Sequence, residues 1–527
     1  MLVLEEATTA QTIPALLEAV AAAYPEAEAV VEGQARITYR ELAELAMDAA
    51  GALVSCGVEP GDNVAIWAPN SANWIVAMLG IACAGCVLVP LNTRYQGPEA
   101  AHILNRSRAK LLITVSDFLG RDYRATLEGE QLPHLRRTVD LVTEWSSLLE
   151  SGRKRAAASE ARRRAAAVQP GDTSDLMFTS GTTGAPKGVP LKHGATIRSY
   201  RYYAQNLGIT FGDRYLLSNP LFHTFGSKAG LVAAMTAGAT LFPVPVFDAS
   251  SAAELIARER ITVFPGPPTV YHSLLALPPE RREQLRSLRL AVTGAAAVPV
   301  ELLRRMREEL GFDVVLTAYG LTETTGLVTM CRAGDPPEVV SATSGRAIPG
   351  VEVRTVDAQG RPTPMGEAGE IVVRGYPVTE GYFEDEAATA ETIDTDGWLH
   401  TGDVGMLDGD GGLKITDRMK DMFIVGGFNA YPAEIEAALM EFPGVAQVAV
   451  VGVPDQRLGE VGLAFVVPRP GETVVADALI DFARGRMANF KVPRRVEIVA
   501  ALPLNASGKV LKNVLRQKAL EERGVLS

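Results

Sequence analysis

Short apolar runs alternate with amphipathic segments along most of the chain. Residues 39–54 carry apolar side chains at helical spacing, while residues 63–67 and 111–115 are nearly continuous apolar runs typical of buried strands. The strand pattern returns between helical stretches at residues 215–217, 239–242, 261–264, 290–293 and 314–316. Strands that alternate with helices predict largely parallel sheets covered by helices.

The pattern changes near residue 350. Residues 351–356 and 370–374 alternate polar and apolar side chains, and the segment between them is rich in turn residues, so we predict antiparallel strands. Further on, helical patterns occupy residues 433–440 and 476–487, and strand patterns occupy residues 448–451 and 463–467. We therefore predict a large N-terminal domain at residues 1–417 and a smaller α+β domain at residues 418–527.

Residues 74–91 contain no charged or strongly polar side chain, over a length close to that of a membrane-spanning helix. Gly80 and Gly85 interrupt the run and residues 87–90 have strand character, so a buried helix followed by a buried strand is favoured.

Cys83 and Cys86 form a C-x-x-C pair with no second pair of ligands nearby. Small buried thiols are a better interpretation than a metal or redox site.

The composition indicates the class of protein more clearly than its function. A chain of 527 residues exceeds what one hydrophobic core usually supports, so at least two domains are expected. The formal net charge of -11 argues against nucleic acid as a partner. No basic region precedes an apolar run at the N-terminus, and four cysteines do not make a disulfide framework. We expect a cytoplasmic protein without stable membrane insertion.

An apolar run at residues 176–178 leads directly into the sequence TSGTTGAPKG, residues 179–188. Its glycines let a ligand approach the main chain, its Thr and Ser residues add hydroxyl donors, and Lys187 adds a compact positive charge. Such a loop suits a polyphosphate at the carboxyl end of a strand. The common nucleotide loop has Gly immediately before Lys, whereas Pro186 precedes Lys187 here. A flexible surface loop is the alternative interpretation.

Two acidic residues lie in motifs of small and hydroxylated residues. Glu323 is the sole acid of AYGLTETTG, residues 318–326, and its carboxylate would suit Mg²⁺ or would equally serve a helix cap or helix dipole. Asp403 lies in GWLHTGDVG, residues 397–405, where it would hold a pair of ribose hydroxyls or end a turn. Residues 408–412 are similar to a calcium loop, but Met419 stands where Glu is expected, so a hairpin turn is favoured.

Two further motifs lie near the C-terminus. A charged cluster precedes an apolar strand and the pair Gly426-Gly427; a charged linker and a turn are its simplest interpretation. The members of this cluster are Asp417, Arg418, Lys420 and Asp421. Lys509 lies in NASGKVLK, residues 505–512, and by itself indicates no function.

Together, these five motifs have the order and approximate spacing of the adenylate-forming superfamily, which includes acyl-CoA synthetases, firefly-type luciferases and peptide-synthetase adenylation domains. The chain resembles that superfamily over nearly its whole length. The resemblance implies an α/β fold whose large N-terminal domain has mixed and parallel sheets and a small β-barrel-like part. A small mobile α+β C-terminal domain would meet it over the active site.

The resemblance also implies a two-step reaction. A carboxylate attacks the α-phosphate of MgATP to give acyl-AMP and diphosphate, and the thiol of CoA then attacks the acyl carbon and releases AMP. The TSGTTGAPKG loop would hold the β- and γ-phosphates, Thr322 and Glu323 would serve the α-phosphate and Mg²⁺, and Lys509 would bridge the reacting groups. Asp403 and Arg418 would bind ribose, and the adenine pocket would be lined by Gly294, Ala295, Ala296 and Tyr319. The residues that the resemblance assigns to ATP or AMP are Thr179, Ser180, Gly181, Thr182, Thr183, Gly184, Lys187, Gly294, Ala295, Ala296, Tyr319, Gly320, Thr322, Asp403, Arg418 and Lys509.

Other positions would serve domain motion, CoA and the acyl group. By resemblance, Lys420 is the hinge, and Gly426 and Gly427 would let the pantetheine arm of CoA pass close to the backbone. His223 matches a position that gates the acyl pocket of fatty acyl-CoA ligases, with a buried structural histidine as the alternative. Lys228 lies in an otherwise apolar segment, where it would either extend outward to solvent or meet an oxygen of a polar acid.

The identity of the acid is a separate question. NPLFHTFGSKAG, residues 219–230, lacks the acid with which a peptide-synthetase domain would bind an amine, so a free-standing acyl-CoA ligase is favoured. PLNTRYQGPEA, FPGPPTVYHSLL, VLTAYGLTETTG and VPDQRLGEVG resemble a subgroup of actinobacterial ligases that activate the hydrindanedione propanoate left from sterol rings C and D. We expect a bulky alicyclic propanoate from steroid degradation, with a medium-chain fatty or aryl-alkanoic acid as the alternative.

The alternatives from other classes are a Rossmann-type oxidoreductase and a non-catalytic nucleotide-binding protein. A Rossmann-type oxidoreductase would need G-x-G-x-x-G after an early strand, which the sequence lacks. A non-catalytic nucleotide-binding protein would be expected to lose its reactive groups, yet Lys187, Glu323, Asp403, Arg418 and Lys509 are all present. The expected partners are ATP, Mg²⁺, CoA and a small carboxylic acid, with no nucleic acid, and a homodimer stays open.

Overall fold

The computed structural model describes residues 9–179, 186–294, 298–418, 421–425, 428–455, 458–484, 486–487, 489–504 and 510–521. Its α-helices are Ile13–Ala23, Tyr39–Ser55, Ala72–Cys83, Gly97–Arg106, Trp145–Gly152, Arg155–Ala167, His193–Leu207, Ala233–Ala237, Ala249–Glu259, Pro268–Leu275, Pro279–Arg282, Val300–Leu310, Pro337–Ala342, Glu386–Thr392, Pro432–Leu439, Ala476–Arg484 and Lys512–Glu521, and Phe225–Val232 is a π-helix. Its strands are β1 (Glu28–Glu32), β2 (Ala35–Thr38), β3 (Asn63–Trp67), β4 (Val87–Pro90), β5 (Leu111–Thr114), β6 (Arg137–Asp140), β7 (Thr173–Thr179), β8 (Lys187–Lys192), β9 (Arg214–Leu217), β10 (Thr240–Pro243), β11 (Leu290–Thr293), β12 (Val314–Tyr319), β13 (Thr329–Met330), β14 (Arg346–Ala347), β15 (Val351–Val356), β16 (Gly369–Gly375), β17 (Leu399–Leu407), β18 (Leu413–Arg418), β19 (Phe423–Val425), β20 (Phe428–Ala430), β21 (Val445–Asp455), β22 (Gly459–Pro468) and β23 (Arg495–Ile498).

The first sheet has the strand order β6-β5-β3-β4-β7-β8 and is parallel except at β8, which pairs antiparallel with β7. β3 occupies the predicted residues 63–67, and β4 and β5 are buried along their whole length. Such apolar runs are typical of parallel strands that are covered on both faces. The hairpin of β7 and β8 holds the two ends of the phosphate motif, because β7 ends at Thr179 and β8 begins at Lys187.

A second, longer sheet is assembled from two parts, β2-β1-β10-β9 and β11-β12-β13-β14. Val263 joins them, because it makes single parallel bridges to Tyr215 of β9 and Leu290 of β11. The prediction of a full strand at residues 261–264 is therefore wrong. The N–H groups of Phe264 and Gly266 still donate to the Leu290 and Val292 carbonyls of β11, whereas Pro265 and Pro267 have no N–H group to donate.

The apolar stretch at residues 74–91 folds, as predicted, into a buried helix and the buried strand β4. This helix packs so closely on helix Tyr39–Ser55 that a Cβ on Gly80 would lie 2.4 Å from the Cβ of Ala49. In the described part of the chain, no helix is long and apolar enough to cross a membrane. Cys83 and Cys86 are buried free thiols, and burial raises the pKa of each to about 12.

A four-stranded antiparallel sheet, β15-β16-β17-β18, forms the expected barrel-like part. Residues 408–412 close the β17–β18 hairpin, as predicted from their Gly-rich sequence. The Asp408 N–H donates to the Gly412 carbonyl at 3.0 Å, and the Gly412 N–H donates to Asp408 Oδ1 at 2.7 Å. The Asp408 carboxylate is thus used to close the turn.

The C-terminal part has a hydrophobic core of its own, which includes Phe423, Val450, Phe465 and Leu479. Strands β20-β19-β22-β21 pair antiparallel, and β23 adds parallel to β22. The main core of the chain is separate and extends in sequence from Ala10 to Leu413. The predicted fold class, a large α/β part followed by a small α+β part, is confirmed.

Candidate active site

Two strand ends flank the phosphate motif. Thr179 of β7 pairs with Lys187 of β8, and the Thr179 hydroxyl donates to the Lys187 carbonyl at 3.5 Å. The Lys187 ammonium lies over the Tyr382 ring, 4.9 Å from its centroid. The structure therefore fixes where the first threonine and the lysine of the motif lie. The other assigned residues of the motif lie outside the described residues: Ser180, Gly181, Thr182, Thr183 and Gly184.

Glu323 lies in a single 3-10 turn, Thr322–Thr324, just after β12. Its carbonyl accepts the Thr379 N–H at 2.8 Å, and its Oε1 accepts the Tyr382 hydroxyl at 3.0 Å. Neither contact caps a helix, so the helix-cap alternative is not what the structure shows. Within the described residues, Oε2 accepts no hydrogen bond and meets no cation, which leaves one carboxylate oxygen for a ligand.

Two glycines let the Glu323 motif fold back on itself. A Cβ on Gly320 would lie 2.3 Å from the Gly326 carbonyl oxygen. Gly326 has φ +86°, and a Cβ there would lie 2.5 Å from the Tyr200 hydroxyl. That hydroxyl donates to the Thr325 carbonyl at 2.9 Å, so the loop is anchored to the helix behind it. Any larger residue at either glycine would displace Glu323.

Asp403 is buried within β17, so the alternative in which it ends a turn is wrong. Its backbone pairs with Arg418 of β18, and its Oδ2 accepts the Tyr319 hydroxyl at 2.7 Å. Gly294 follows β11 and Tyr319 ends β12, and these strands are parallel neighbours, so their carboxyl ends lie side by side. The described residues assigned to adenine and ribose are thus brought together. Ala295, Ala296 and the Arg418 side chain lie outside the described part of the chain.

A second acid, Glu370, supports the segment that carries Asp403. Its Oε1 accepts the Gly402 N–H at 3.1 Å, and its Oε2 lies 2.8 Å from His400 Nδ1. The Asp403 N–H in turn donates to the Thr401 hydroxyl at 3.1 Å. These contacts fix the strand on both sides of the buried carboxylate. Sequence analysis missed Glu370 because its motif partners lie on the neighbouring strand.

His223 lies in the turn just before the π-helix Phe225–Val232. The residue is exposed to solvent, yet neighbouring protein atoms desolvate the imidazole and lower its pKa. Its Nδ1 accepts the Phe225 N–H at 3.2 Å, and its carbonyl accepts the Ser227 hydroxyl at 3.0 Å. The exposure of His223 contradicts the alternative of a buried structural histidine. π-Helical segments often occur at functional sites.

Both predictions for Lys228 are wrong. Its ammonium is fully buried and forms an ion pair with Oδ2 of Asp175 on β7, so it neither extends to solvent nor remains available to an acid. Ser174 also donates to that oxygen, at 2.5 Å. The sequence-based prediction failed because Asp175 is a long-range partner. The nearby His193 is buried too, and burial lowers its pKa to about 4.

Comparisons with known proteins identify the family to which the chain belongs. A model of AMP-binding enzymes matches residues 17–383, and a model of the AMP-binding enzyme C-terminal domain matches residues 434–509. The chain belongs to the AMP-binding enzyme family.

Two relatives of this AMP-binding enzyme carry the name 3-[(3aS,4S,7aS)-7a-methyl-1,5-dioxo-octahydro-1H-inden-4-yl]propanoyl:CoA ligase. The Rhodococcus jostii protein is 49% identical over 519 residues, which cover 96% of this chain and 98% of the relative. The Mycobacterium tuberculosis protein is 49% identical over 512 residues, which cover 96% of this chain and 99% of the relative. The prediction of an acid–thiol ligase that forms AMP is confirmed.

Solved structures agree with the fold. An anthranilate CoA ligase in complex with anthranoyl-AMP matches with a TM-score of 0.87 and 29% identity, covering 98% of this chain and 99% of that chain. The o-succinylbenzoate CoA synthetase of Bacillus subtilis, in complex with its acyl-adenylate, matches with a TM-score of 0.80 and 31% identity, covering 95% of this chain and 97% of that chain. The mixed sheets, the half-barrel and the C-terminal unit are thus those of AMP-binding enzymes.

Some assigned residues of the AMP-binding enzyme lie outside its described part. These are the hinge residue Lys420, the CoA-tunnel residues Gly426 and Gly427, and Lys509. Their assigned roles stay predictions from the sequence resemblance.

Tyr382 is a second residue of the site, besides Glu370, that sequence analysis missed. It contacts Lys187 and Glu323, which belong to two different motifs. Its own neighbourhood, GYFEDE, contains no glycine-rich or hydroxyl-rich pattern that would have singled it out. The only local signal is Gly381, whose φ of +148° is a conformation that side chains rarely adopt.

Proposed function

We propose that this AMP-binding enzyme activates a bulky alicyclic propanoate, converting the acid, ATP and CoA into acyl-CoA, AMP and diphosphate. The observation that carries the choice of acid is the 49% identity, over 96% of the chain, to ligases named for a methyl-dioxo-octahydroindenyl propanoate. Conversion would proceed through an acyl-adenylate, the intermediate captured in related solved structures.

The geometry supports the assignment of the ATP-binding residues. Lys187 and Glu323 contact the same side chain, Tyr382, so the phosphate motif and the acidic motif face each other. The Tyr319–Asp403 hydrogen bond lies at the carboxyl ends of β11 and β12 and marks the adenosine end of the site. ATP would extend from this end toward Lys187, with its β- and γ-phosphates at the β7–β8 hairpin.

The residues present fit a magnesium ion bound together with ATP. Mg²⁺ prefers oxygen ligands and commonly binds through one or two carboxylates plus substrate phosphates. Glu323 offers an oxygen, Oε2, that accepts no hydrogen bond within the described residues. When bound, the ion would neutralise phosphate charge in the transition state.

The protein's own residues would bring two anions together. Lys187 would stabilise the departing diphosphate, and Asp403, held by Tyr319, would fix the ribose so that the α-phosphorus faces the acid. Lys509, on the C-terminal part, would lie between the carboxylate and the α-phosphate. Positioning and charge neutralisation supply most of the rate in phosphoryl chemistry of this kind.

The thioester step would use a different domain arrangement. We place the domain boundary at residues 417–418 with Lys420 as the hinge, which agrees with the separate core of residues 423–519. Rotation would withdraw Lys509 and bring Gly426 and Gly427 beside the pantetheine arm. A cytoplasmic location and a homodimer stay predictions.

The substrate is tested by acid-dependent exchange of labelled diphosphate into ATP. The bicyclic propanoate should support exchange far better than octanoate or 3-phenylpropanoate, because the pocket beside His223 would be shaped for fused rings. Robust exchange with octanoate and none with the ring acid would contradict the proposal and favour the medium-chain alternative. Octanoyl-CoA formation, followed by mass spectrometry, would then identify the product.

A further inference from the structure

One short segment ties the two charged motifs of the site together. The Thr379 N–H donates to the Glu323 carbonyl at 2.8 Å, and the Phe383 N–H donates to the Gly188 carbonyl at 2.8 Å. The Thr379 hydroxyl also donates to the Pro190 carbonyl at 3.0 Å. Residues 379–383 therefore bridge the 3-10 turn of Glu323 and strand β8, which begins at Lys187.

Tyr382 is the side chain of this segment that points into the bridge. Its hydroxyl donates to Glu323 Oε1 at 3.0 Å, and the face of its ring meets the Lys187 ammonium at 4.9 Å from the centroid. A cation over an aromatic face is attracted by the ring quadrupole. One half-buried tyrosine thus contacts both charged groups assigned to MgATP.

The arrangement separates charges that would otherwise neutralise each other. Among the described residues Lys187 and Glu323 form no direct ion pair, and Tyr382 lies between them. A direct pair would have to break before phosphate and metal could bind. The tyrosine contact is weaker, and it occupies only one oxygen of Glu323. Burial and the Glu323 charge raise the Tyr382 pKa well above its ordinary value, so the hydroxyl stays a donor.

We propose that Tyr382 is a positioning residue that holds Lys187 and Glu323 apart and oriented for the polyphosphate and the metal of MgATP. The inference rests on the proposed function, because it assigns those two residues to ATP and Mg²⁺. Tyr382 itself is not required to touch the reacting atoms.

The main test is Tyr382→Phe, which keeps the ring over Lys187 and removes the hydroxyl from Glu323. The affinity for ATP should fall about tenfold with Mg²⁺ present, as expected for one lost hydrogen bond to a charged group, and should be unchanged in EDTA. Calorimetric titration of ATP under both conditions measures this without turnover. A loss of equal size with and without Mg²⁺ would overturn the proposal, and so would no loss in either.

Tyr382→Leu provides a second, independent test of the role of Tyr382. It removes the ring as well, so ATP affinity should also fall in EDTA, where only the Lys187 contact is tested. Unchanged affinity in EDTA would contradict the role toward Lys187. If this variant does not fold, the Phe variant alone decides the case, since it preserves the shape of the side chain.

Tyr376→Phe is the matched control. The Tyr376 hydroxyl lies 3.3 Å from the Ser199 hydroxyl, and its ring stacks on Arg198 rather than on a residue of the phosphate site. Its ATP affinity should match the wild type in both conditions; a loss as large as in Tyr382→Phe would overturn the specific role. If the proposed function is wrong, the wild type will show no acid-dependent exchange while ATP binding persists. This result differs from the results that would overturn the role of Tyr382.

Discussion

Replacing Lys228 by Met tests the buried ion pair that the structure shows instead of an acid-binding lysine. The side chains of Lys228 and Asp175 are 0% and 1% exposed, so the variant leaves a carboxylate buried without its cation. Removing one partner of such a pair costs about 3–5 kcal/mol, whereas exchanging both partners for apolar residues of similar volume is often neutral. We expect Lys228→Met and Asp175→Leu each to lose about that amount, and the double variant to recover most of it.

Tryptophan fluorescence during urea unfolding is a suitable assay. Trp67, Trp74, Trp145 and Trp398 all lie ahead of residue 418, so the signal reports the N-terminal part alone. Lys192→Met is the matched control, because its partner Glu380 is 78% exposed and a surface pair contributes at most about 1 kcal/mol. Single variants as stable as this control, or a double variant no more stable than the singles, would refute the reasoning.

Three further predictions address the remaining groups. Because the folded-state pKa of His193 is about 4 against an ordinary 6.5, the unfolded chain binds an extra proton as pH falls through that window, and stability falls with it. His193→Asn should remove about 2 kcal/mol of the loss between pH 7 and pH 5, measured by urea titration; a pH profile parallel to the wild type would disprove this. Lys509→Ala should nearly abolish acyl-AMP formation while ATP binding, measured by calorimetry, persists; unimpaired adenylation would contradict its assigned role. Gly427→Leu should slow thioester formation more than adenylation in single-turnover assays, since a side chain would block the pantetheine path; slowing of adenylation alone would show that the tunnel is misplaced.

Most elements of the fold follow from local patterns. β3, β11 and β15 have the predicted bounds, because uninterrupted apolar runs and strict alternation are strong signals of strands. Residues 261–264 have the same apolar pattern and form backbone hydrogen bonds with β9 and β11, but only Val263 makes regular bridges to these strands. Whether these residues form a full strand depends on the prolines that follow them and on neighbouring strands that are distant in sequence.

The candidate site was predictable where chemistry is concentrated in a motif. Glu323 and Asp403 stand out as single acids among small residues. Lys228 and Tyr382 do not, because long-range contacts set their roles: Lys228 pairs with Asp175, and Tyr382 contacts both Glu323 and Lys187. The position and the partner of a charged side chain in an apolar segment depend on tertiary packing, which the local sequence does not determine.

The proposed reaction requires the acid to attack the α-phosphorus, so that diphosphate leaves from the Lys187 end of the site. Incubating the enzyme with ATP, CoA and a propanoate labelled in its carboxylate with oxygen-18 tests this directly by mass spectrometry of the products. We expect one labelled oxygen in AMP and none in diphosphate or inorganic phosphate. Label in inorganic phosphate, with ADP as the nucleotide product, would contradict it.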